Sequence, residues 1–211
     1  MRQVFFWVWA ALFSVALLGG CSGGADGQSS FESKDKPMGE NDTHPVVTMK
    51  TTMGDITIEL WPEHAPKTVA NFLAYVDAGF YDGTIFHRVI EDFMIQGGGF
   101  TPEMEKKPTR APIVNEATNR QAHLRGTVAM ARTNEVDSAT SQFFVNVKNN
   151  PNLNHRDESP RGFGYCVFGR VIDGMDVVDR IRKTATHRKG MFDDVPVETV
   201  TIEEVRRVND Q

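Results

Sequence analysis

The most constraining feature of the chain is the run from Phe86 to Phe100, FHRVIEDFMIQGGGF. It sets Arg88 among apolar residues, resumes with Phe93, Met94 and Ile95, follows them with Gln96, and closes on three glycines before another aromatic. Successive side chains of a β-strand point to opposite faces. Read as a strand, Thr84 to Ile90 puts Ile85, His87 and Val89 on one side and Phe86, Arg88 and Ile90 on the other. Both sides then carry apolar groups, whereas a half-buried antiparallel strand has one polar face. Either protein covers both faces, or one face is an external apolar patch with a guanidinium in it. Ser141 to Val147 repeats the anomaly. Phe143, Val145 and Val147 share one face, while Gln142, Phe144 and Asn146 share the face that should be wet.

The other periodicities describe a mainly β body. Val46 to Thr51 and Ile56 to Leu60 are β-rich and separated by Met53-Gly54-Asp55, the signature of a hairpin. Val69, Phe72, Leu73 and Val76 fall at helical spacing, which predicts a helix over Thr68 to Asp77 ended by Gly79. Further strands are predicted over Phe93 to Gly97, Thr127 to Ala131, Tyr165 to Val171 and Val200 to Val205, and a second helix over Met175 to Lys183. Thr101 to Arg125 is polar, carries Pro102, Pro108 and Pro112, and is predicted to be mostly loop; Asn149 to Gly164 is a polar connection with Leu153 alone in it. Many short strands with glycine turns and two separated helices predict a closed antiparallel β-barrel capped by helices, one domain over residues 45–208.

Residues 1–20 read as a targeting signal. Arg2 supplies the positive start, Val4 to Leu18 is almost wholly apolar, and Leu18-Gly19-Gly20 puts small residues before Cys21. This resembles the lipobox of bacterial lipoproteins, which implies lipidation of Cys21 and an anchor on the extracytoplasmic side of a membrane. Ser22 after the cysteine implies the outer membrane by the same resemblance. Residues 21–44, rich in Gly, Ser, Asp and Lys, then form a flexible tether. The mature chain would hold 22 basic against 28 acidic residues. A net charge of that sign excludes a nucleic-acid binder, which needs a basic face to neutralise phosphates. With Cys21 committed to the anchor, Cys166 has no disulfide partner, and its neighbours Tyr165, Val167 and Phe168 mark it as an inert buried strand thiol.

No nucleophile-elbow, zinc-helix or phosphate-loop motif occurs, and the six histidines have no metal-ligand spacing. His87 in its strand reads as a hydrogen-bonded core or rim residue rather than a base. What remains is an arginine, two glutamines and large apolar side chains, a poor kit for hydrolysis and a good one for gripping an apolar group and twisting an amide. An X-Pro bond isomerises over a barrier of roughly 20 kcal/mol, in about 10 to 100 s unaided. As the C–N bond twists, resonance is lost and the proline nitrogen recovers a lone pair able to accept a hydrogen bond. A guanidinium, donor-rich and unable to accept, suits that task.

At these residues a resemblance enters. Phe86-His87-Arg88-Val89-Ile90, Phe93-Met94-Ile95-Gln96-Gly97-Gly98, Gly126-Thr127-Val128-Ala129-Met130-Ala131, Ser141-Gln142-Phe143-Phe144 and Val167-Phe168-Gly169 together resemble cyclophilin-type peptidyl-prolyl cis-trans isomerases, and Asn115-Glu116-Ala117 resembles the bacterial branch. The resemblance covers Pro45 to Val205. It implies a closed eight-stranded antiparallel β-barrel with two α-helices, a site on the outer face, no cofactor and no metal, and proline-containing polypeptides as substrate, handled by a monomer. It also implies roles: Arg88 as the catalytic arginine, and Gln96 as the glutamine that orients it. Phe93, Met94, Phe144 and Leu153 would form the proline pocket, while Ala131, Arg132 and Thr133, with Gln142 close by, would contact residues preceding proline. His87 matches a site histidine of secondary role, and Tyr165 stands where relatives place a second one. Arg132 replaces a common asparagine and is predicted to favour acidic residues before proline. A non-catalytic proline-binding module or envelope chaperone is the alternative.

Overall fold

The computed structural model describes residues 44–208; the predicted signal segment 1–20, Cys21 and all but the last residue of the predicted tether 21–44 lie outside the described residues. Eight strands close an antiparallel barrel: β1 (Val46–Thr51), β2 (Gly54–Leu60), β3 (Thr84–Ile90), β4 (Met94–Gly97), β5 (Thr127–Met130), β6 (Phe143–Asn146), β7 (Val167–Asp173) and, last in the chain, β10 (Thr201–Arg207). The order around the barrel is β1, β10, β3, β4, β6, β5, β7, β2, and β2 pairs back onto β1. Alternation fills the interior. Met49, Ile58, Phe86, Ile95, Phe143 and Phe168 are fully buried there, each worth about 1.5–3 kcal/mol of transfer free energy as an upper figure.

Helix α1 (Pro66–Asp77) starts on proline, whose missing N–H costs nothing in a first turn. No neighbouring side chain caps it. Glu116 does so from the long loop, accepting from the backbone N–H of Thr68 at 2.8 Å, that of Lys67 at 3.2 Å and the Thr68 hydroxyl at 2.7 Å. A carboxylate at a helix N-terminus also meets the positive end of the helix dipole. Phe72 then packs its ring against Tyr81, Phe143 and Phe168. Helix α2 (Met175–Arg182) buries Val177, Val178 and Ile181 in the same core. The predicted loop 101–125 holds no strand or α-helix, only a short 3-10 turn at Ala117–Asn119. It is pinned through Glu116 and through Lys107 Nζ, which donates to Phe80 O at 2.5 Å.

Three features differ from the sequence-based expectation. The first hairpin turns on Thr52 and Met53, and Gly54 already pairs with Thr51. Gly54 sits at φ +122, and a Cβ on it would press on Val177 at 3.0 Å, so α2 and the turn both require glycine.

The second difference is a β-bulge. Phe86 pairs with Gly97 but Arg88 with Gln96, so His87 is an extra residue in β3. Strict alternation fails there. Phe86 and Val89 both enter the barrel core, whereas His87 and Arg88 both face outward.

The third is an unpredicted hairpin, β8 (Thr186–Lys189) with β9 (Phe192–Pro196), which turns at Gly190-Met191. Its strands carry polar residues on both faces and so show no period-2 apolar pattern. β9 packs against β3.

Candidate functional site

A groove of about 320 Å³ runs along the outer face of β3, β4 and β6 to the segment after β5. Its apolar end is built by Phe93, Met94, Phe144 and Leu153, packed over Ala129 and Val167 in a small cluster separate from the barrel core. Phe93 is placed by the β3–β4 turn, its N–H donating to Ile90 O at 3.0 Å. Leu153 ends a 3-10 turn, Pro151–Leu153, in the polar connection where it was the lone apolar residue. The aromatic on the supposedly wet face of β6 is thereby explained, since Phe144 is the floor of a pocket.

A buried polar network holds that floor from behind. His123 stacks on Phe144 with centroids 5.8 Å apart and planes 9° from parallel. Its Nδ1 accepts from Asn146 Nδ2 at 3.1 Å, which leaves Nε2–H to donate to Tyr165 O at 3.0 Å. Asn146 also donates to Thr127 Oγ1 at 2.9 Å, and Asn150 Nδ2 reaches both Asn146 Oδ1 and Phe93 O at 2.8 Å. Burial pushes the His123 imidazole down to about 4, so it is neutral at neutral pH, in keeping with the hydrogen bonds it makes. His123, Asn146 and Asn150 were not among the sequence candidates. The available signal was Asn146, an amide on a strand face shared with Phe144.

Arg88 stands over the groove with its side chain about 44% exposed and its Nε 3.6 Å from the Asp194 carboxylate of β9. Gln96 is its cross-strand partner. Gln96 Nε2, however, donates to Gln142 Oε1 at 2.9 Å, so the charged neighbour of Arg88 is Asp194 and the glutamines fix each other. His87 is buried, and desolvation, with the adjacent Arg88 charge as a smaller cause, pushes it down to about 4.

Ala131, Arg132, Gln142 and Tyr165 line the groove as expected; Thr133 lines an adjoining recess with Lys106 and Ser138 instead. Arg132 is committed to structure. Nε donates to Gly164 O at 2.9 Å, Nη1 to Thr133 O at 2.9 Å and Nη2 to Pro160 O at 2.7 Å, and the guanidinium lies 4.9 Å over the Tyr165 ring. Three of its five N–H donors are thus engaged within the chain. Phe100 and Phe192 also line the groove and were missed.

The chemistry available is binding and polarisation. Burial pushes the Cys166 thiol up to about 12, its Sγ 3.5 Å from Thr68 Oγ1 in the core, so it is no nucleophile. Among the described residues no group of three His, Cys, Asp or Glu side chains is placed to share a metal ion. What remains is an apolar pocket beside the Arg88 guanidinium, with Arg132 further along the same groove.

Comparison with known proteins agrees. Residues 46–207 match the family described as cyclophilin type peptidyl-prolyl cis-trans isomerase/CLD. The chain is 58% identical over 160 residues to peptidyl-prolyl cis-trans isomerase B of Escherichia coli (strain K12), covering 76% of this chain and 98% of the relative. It is likewise 58% identical over 160 residues to the isomerase cyp18 of Streptomyces antibioticus, covering 76% and 96%. Among solved structures, a cyclophilin type peptidyl-prolyl cis-trans isomerase of Cryptosporidium parvum superposes with a TM-score of 0.68 at 26% identity, covering 80% of this chain and 99% of that one.

Proposed function

The chain belongs to the cyclophilin-type peptidyl-prolyl cis-trans isomerases, and we propose that it speeds X-Pro rotation non-covalently, Arg88 donating a hydrogen bond to the prolyl amide as it twists. The prolyl ring enters the pocket of Phe93, Met94, Phe144 and Leu153, which excludes water from the reacting bond. A planar amide holds its nitrogen lone pair in resonance; the twisted amide presents it to a donor. The Arg88 contact therefore strengthens only along the reaction path, the condition for lowering a barrier. A hydrogen bond to a charged group contributes about 1.5–3 kcal/mol, roughly ten- to a hundredfold in rate. Desolvation and tighter binding of the twisted form supply the rest. Ala131, Arg132, Thr133 and Gln142 hold the residues preceding proline.

The observation that carries this reading is the Arg88 guanidinium beside an apolar pocket with neutral His87 as neighbour. Arg88→Ala should lower kcat/KM for a proline tetrapeptide at least tenfold, with an unchanged circular dichroism spectrum. Near-wild-type turnover by that variant would refute the Arg88 mechanism. Wild-type binding of proline peptides without turnover would favour the binding-module alternative.

We further propose that the enzyme acts as a monomer on secreted chains outside the cytoplasm, tethered by lipid on Cys21 to the outer membrane. The support is the positive start at Arg2, the apolar run to Leu18, the small residues before Cys21, and Ser22 after it. Slow proline steps limit folding, so a folding helper is the use implied. Cys21→Ser should move the protein from the membrane to the soluble fraction; retention in the membrane would exclude this anchor.

A further inference from the structure

The groove continues past the proline pocket towards β3. There three rings meet: His87 lies 4.6 Å from Phe100, Phe100 5.2 Å from Phe192, and His87 6.2 Å from Phe192, between centroids. The bulge turns His87 to this side, and β9 brings Phe192. Along β9, alternation puts Phe192 and Asp194 on one face, towards His87 and Arg88, while Asp193 on the other meets Arg188 at 3.3 Å. The hairpin is anchored at both ends. Val195 is buried, Val197 N donates to Ala185 O at 2.8 Å, and Lys189 Nζ reaches Pro102 O at 3.3 Å. Phe100 and Phe192 nonetheless keep part of their rings exposed to the groove.

The space exceeds what proline needs. About 320 Å³ is on the order of ten waters, whereas a prolyl ring brings three methylenes. The sheet order fixes which part of a peptide reaches the remainder. Across the groove the strands run β3, β4, β6, β5. In the reading above, on which this inference rests, residues preceding proline lie at Ala131 to Thr133, on the β5 side. A chain crossing from there through the pocket leaves over Arg88 on the β3 side, where β9 stands. Neighbouring strands are about 4.8 Å apart and an extended residue advances about 3.3 Å, so one or two residues beyond proline cover the distance.

We propose that His87, Phe100 and Phe192 form a second subsite that takes a large apolar side chain from the first or second residue after proline. The favoured substrate class is then X-Pro segments followed by an aromatic or large aliphatic residue, as occur in unfolded chains whose core residues are still exposed. The first subsite recognises the ring that isomerises; the second recognises that the chain is not yet folded.

The test compares two peptides, one with Ala and one with Phe at both positions after proline. Both are assayed by exchange spectroscopy with full-length wild type and Phe192→Ala. Wild type should favour the Phe peptide in kcat/KM by roughly three- to tenfold, the scale of a partly buried aromatic, and Phe192→Ala should bring the ratio close to one. A wild-type ratio near one, or a full preference surviving in Phe192→Ala, overturns the subsite. Magnetisation transfer from the peptide Phe ring to the Phe100 and Phe192 rings of wild type decides the matter without any variant: contacts are expected, and their absence overturns the proposal. Wild type inactive on both peptides would strike the isomerase reading instead, with the ring contacts still deciding the subsite.

Discussion

Acid should destabilise this enzyme well above the pH at which its carboxylates titrate. His87 and His123 are buried and held down to about 4 from the usual 6.5, both chiefly by desolvation. Between those values the unfolded chain binds more protons than the native one. The stability they confer is therefore complete above about pH 6.5 and lost as pH falls towards 4. Moving from pH 7 to pH 5 removes about 2 kcal/mol per histidine by this linkage, or about 4 kcal/mol from a domain whose total is of order 5–15 kcal/mol. The strongest carboxylate effect falls outside this window. Asp179, held at about 2 by hydrogen bonds from Arg125 and Arg182, loses its contribution only below about pH 4. Isothermal urea unfolding at pH 7, 6 and 5 reads the effect. With a slope of about 2 kcal/mol per molar, the midpoint should fall by about 2 M. His123→Gln keeps an acceptor for Asn146 and a donor for Tyr165 O without titrating, and should halve that fall. A midpoint constant between pH 7 and 5, or a variant as acid-sensitive as wild type, would refute the assignment of neutral buried imidazoles.

Gly98 sits at φ +78, and a Cβ there would lie 2.8 Å from the Phe143 ring and 2.9 Å from Tyr81. Gly98→Ala should cost about 2–4 kcal/mol and lower the thermal midpoint by roughly 5–15 °C, as calorimetry would show; a shift within a degree or two would contradict this packing. Cys166, with its thiol pushed up to about 12 by burial, holds roughly one thiolate per ten thousand molecules at pH 8. In a Cys21→Ser background a thiol reagent should leave the native protein unlabelled and modify it on unfolding, whereas prompt native labelling would mean an open thiol.

The barrel and both helices were legible because each rests on a local period: two residues in Val46 to Leu60, helical spacing at Val69, Phe72, Leu73 and Val76. The core of the site was legible for the opposite reason. Phe144 beside Gln142 and Ile90 beside Arg88 break the polar-out rule, and a groove makes sense of the breach. What stayed hidden depends on distant or phase-shifting residues. His123 is recognisable only beside Asn146 and Tyr165, 23 and 42 positions away. The β8–β9 hairpin has no apolar face to betray it, so Phe192 and Asp194 looked like loop. Arg132 looked free because its carbonyl partners, Pro160 and Gly164, come from a connection without regular structure.

The bulge in β3 gives the two outward residues of the site different geometric origins. Phe86 and Val89 both point into the barrel with two residues between them, so one of those two is surplus to the pleat. Removing the His87 codon restores strict alternation: Phe86 inward, Arg88 outward, Val89 inward, with Gly97, Gln96 and Ile95 opposite in unbroken register. The guanidinium is thus in register with the barrel, while the imidazole sits on the bulge. The side chain that meets Phe100 and the one that carries the charge are therefore adjacent in sequence yet set by different parts of the strand's geometry: the first by the bulge, the second by the barrel's register.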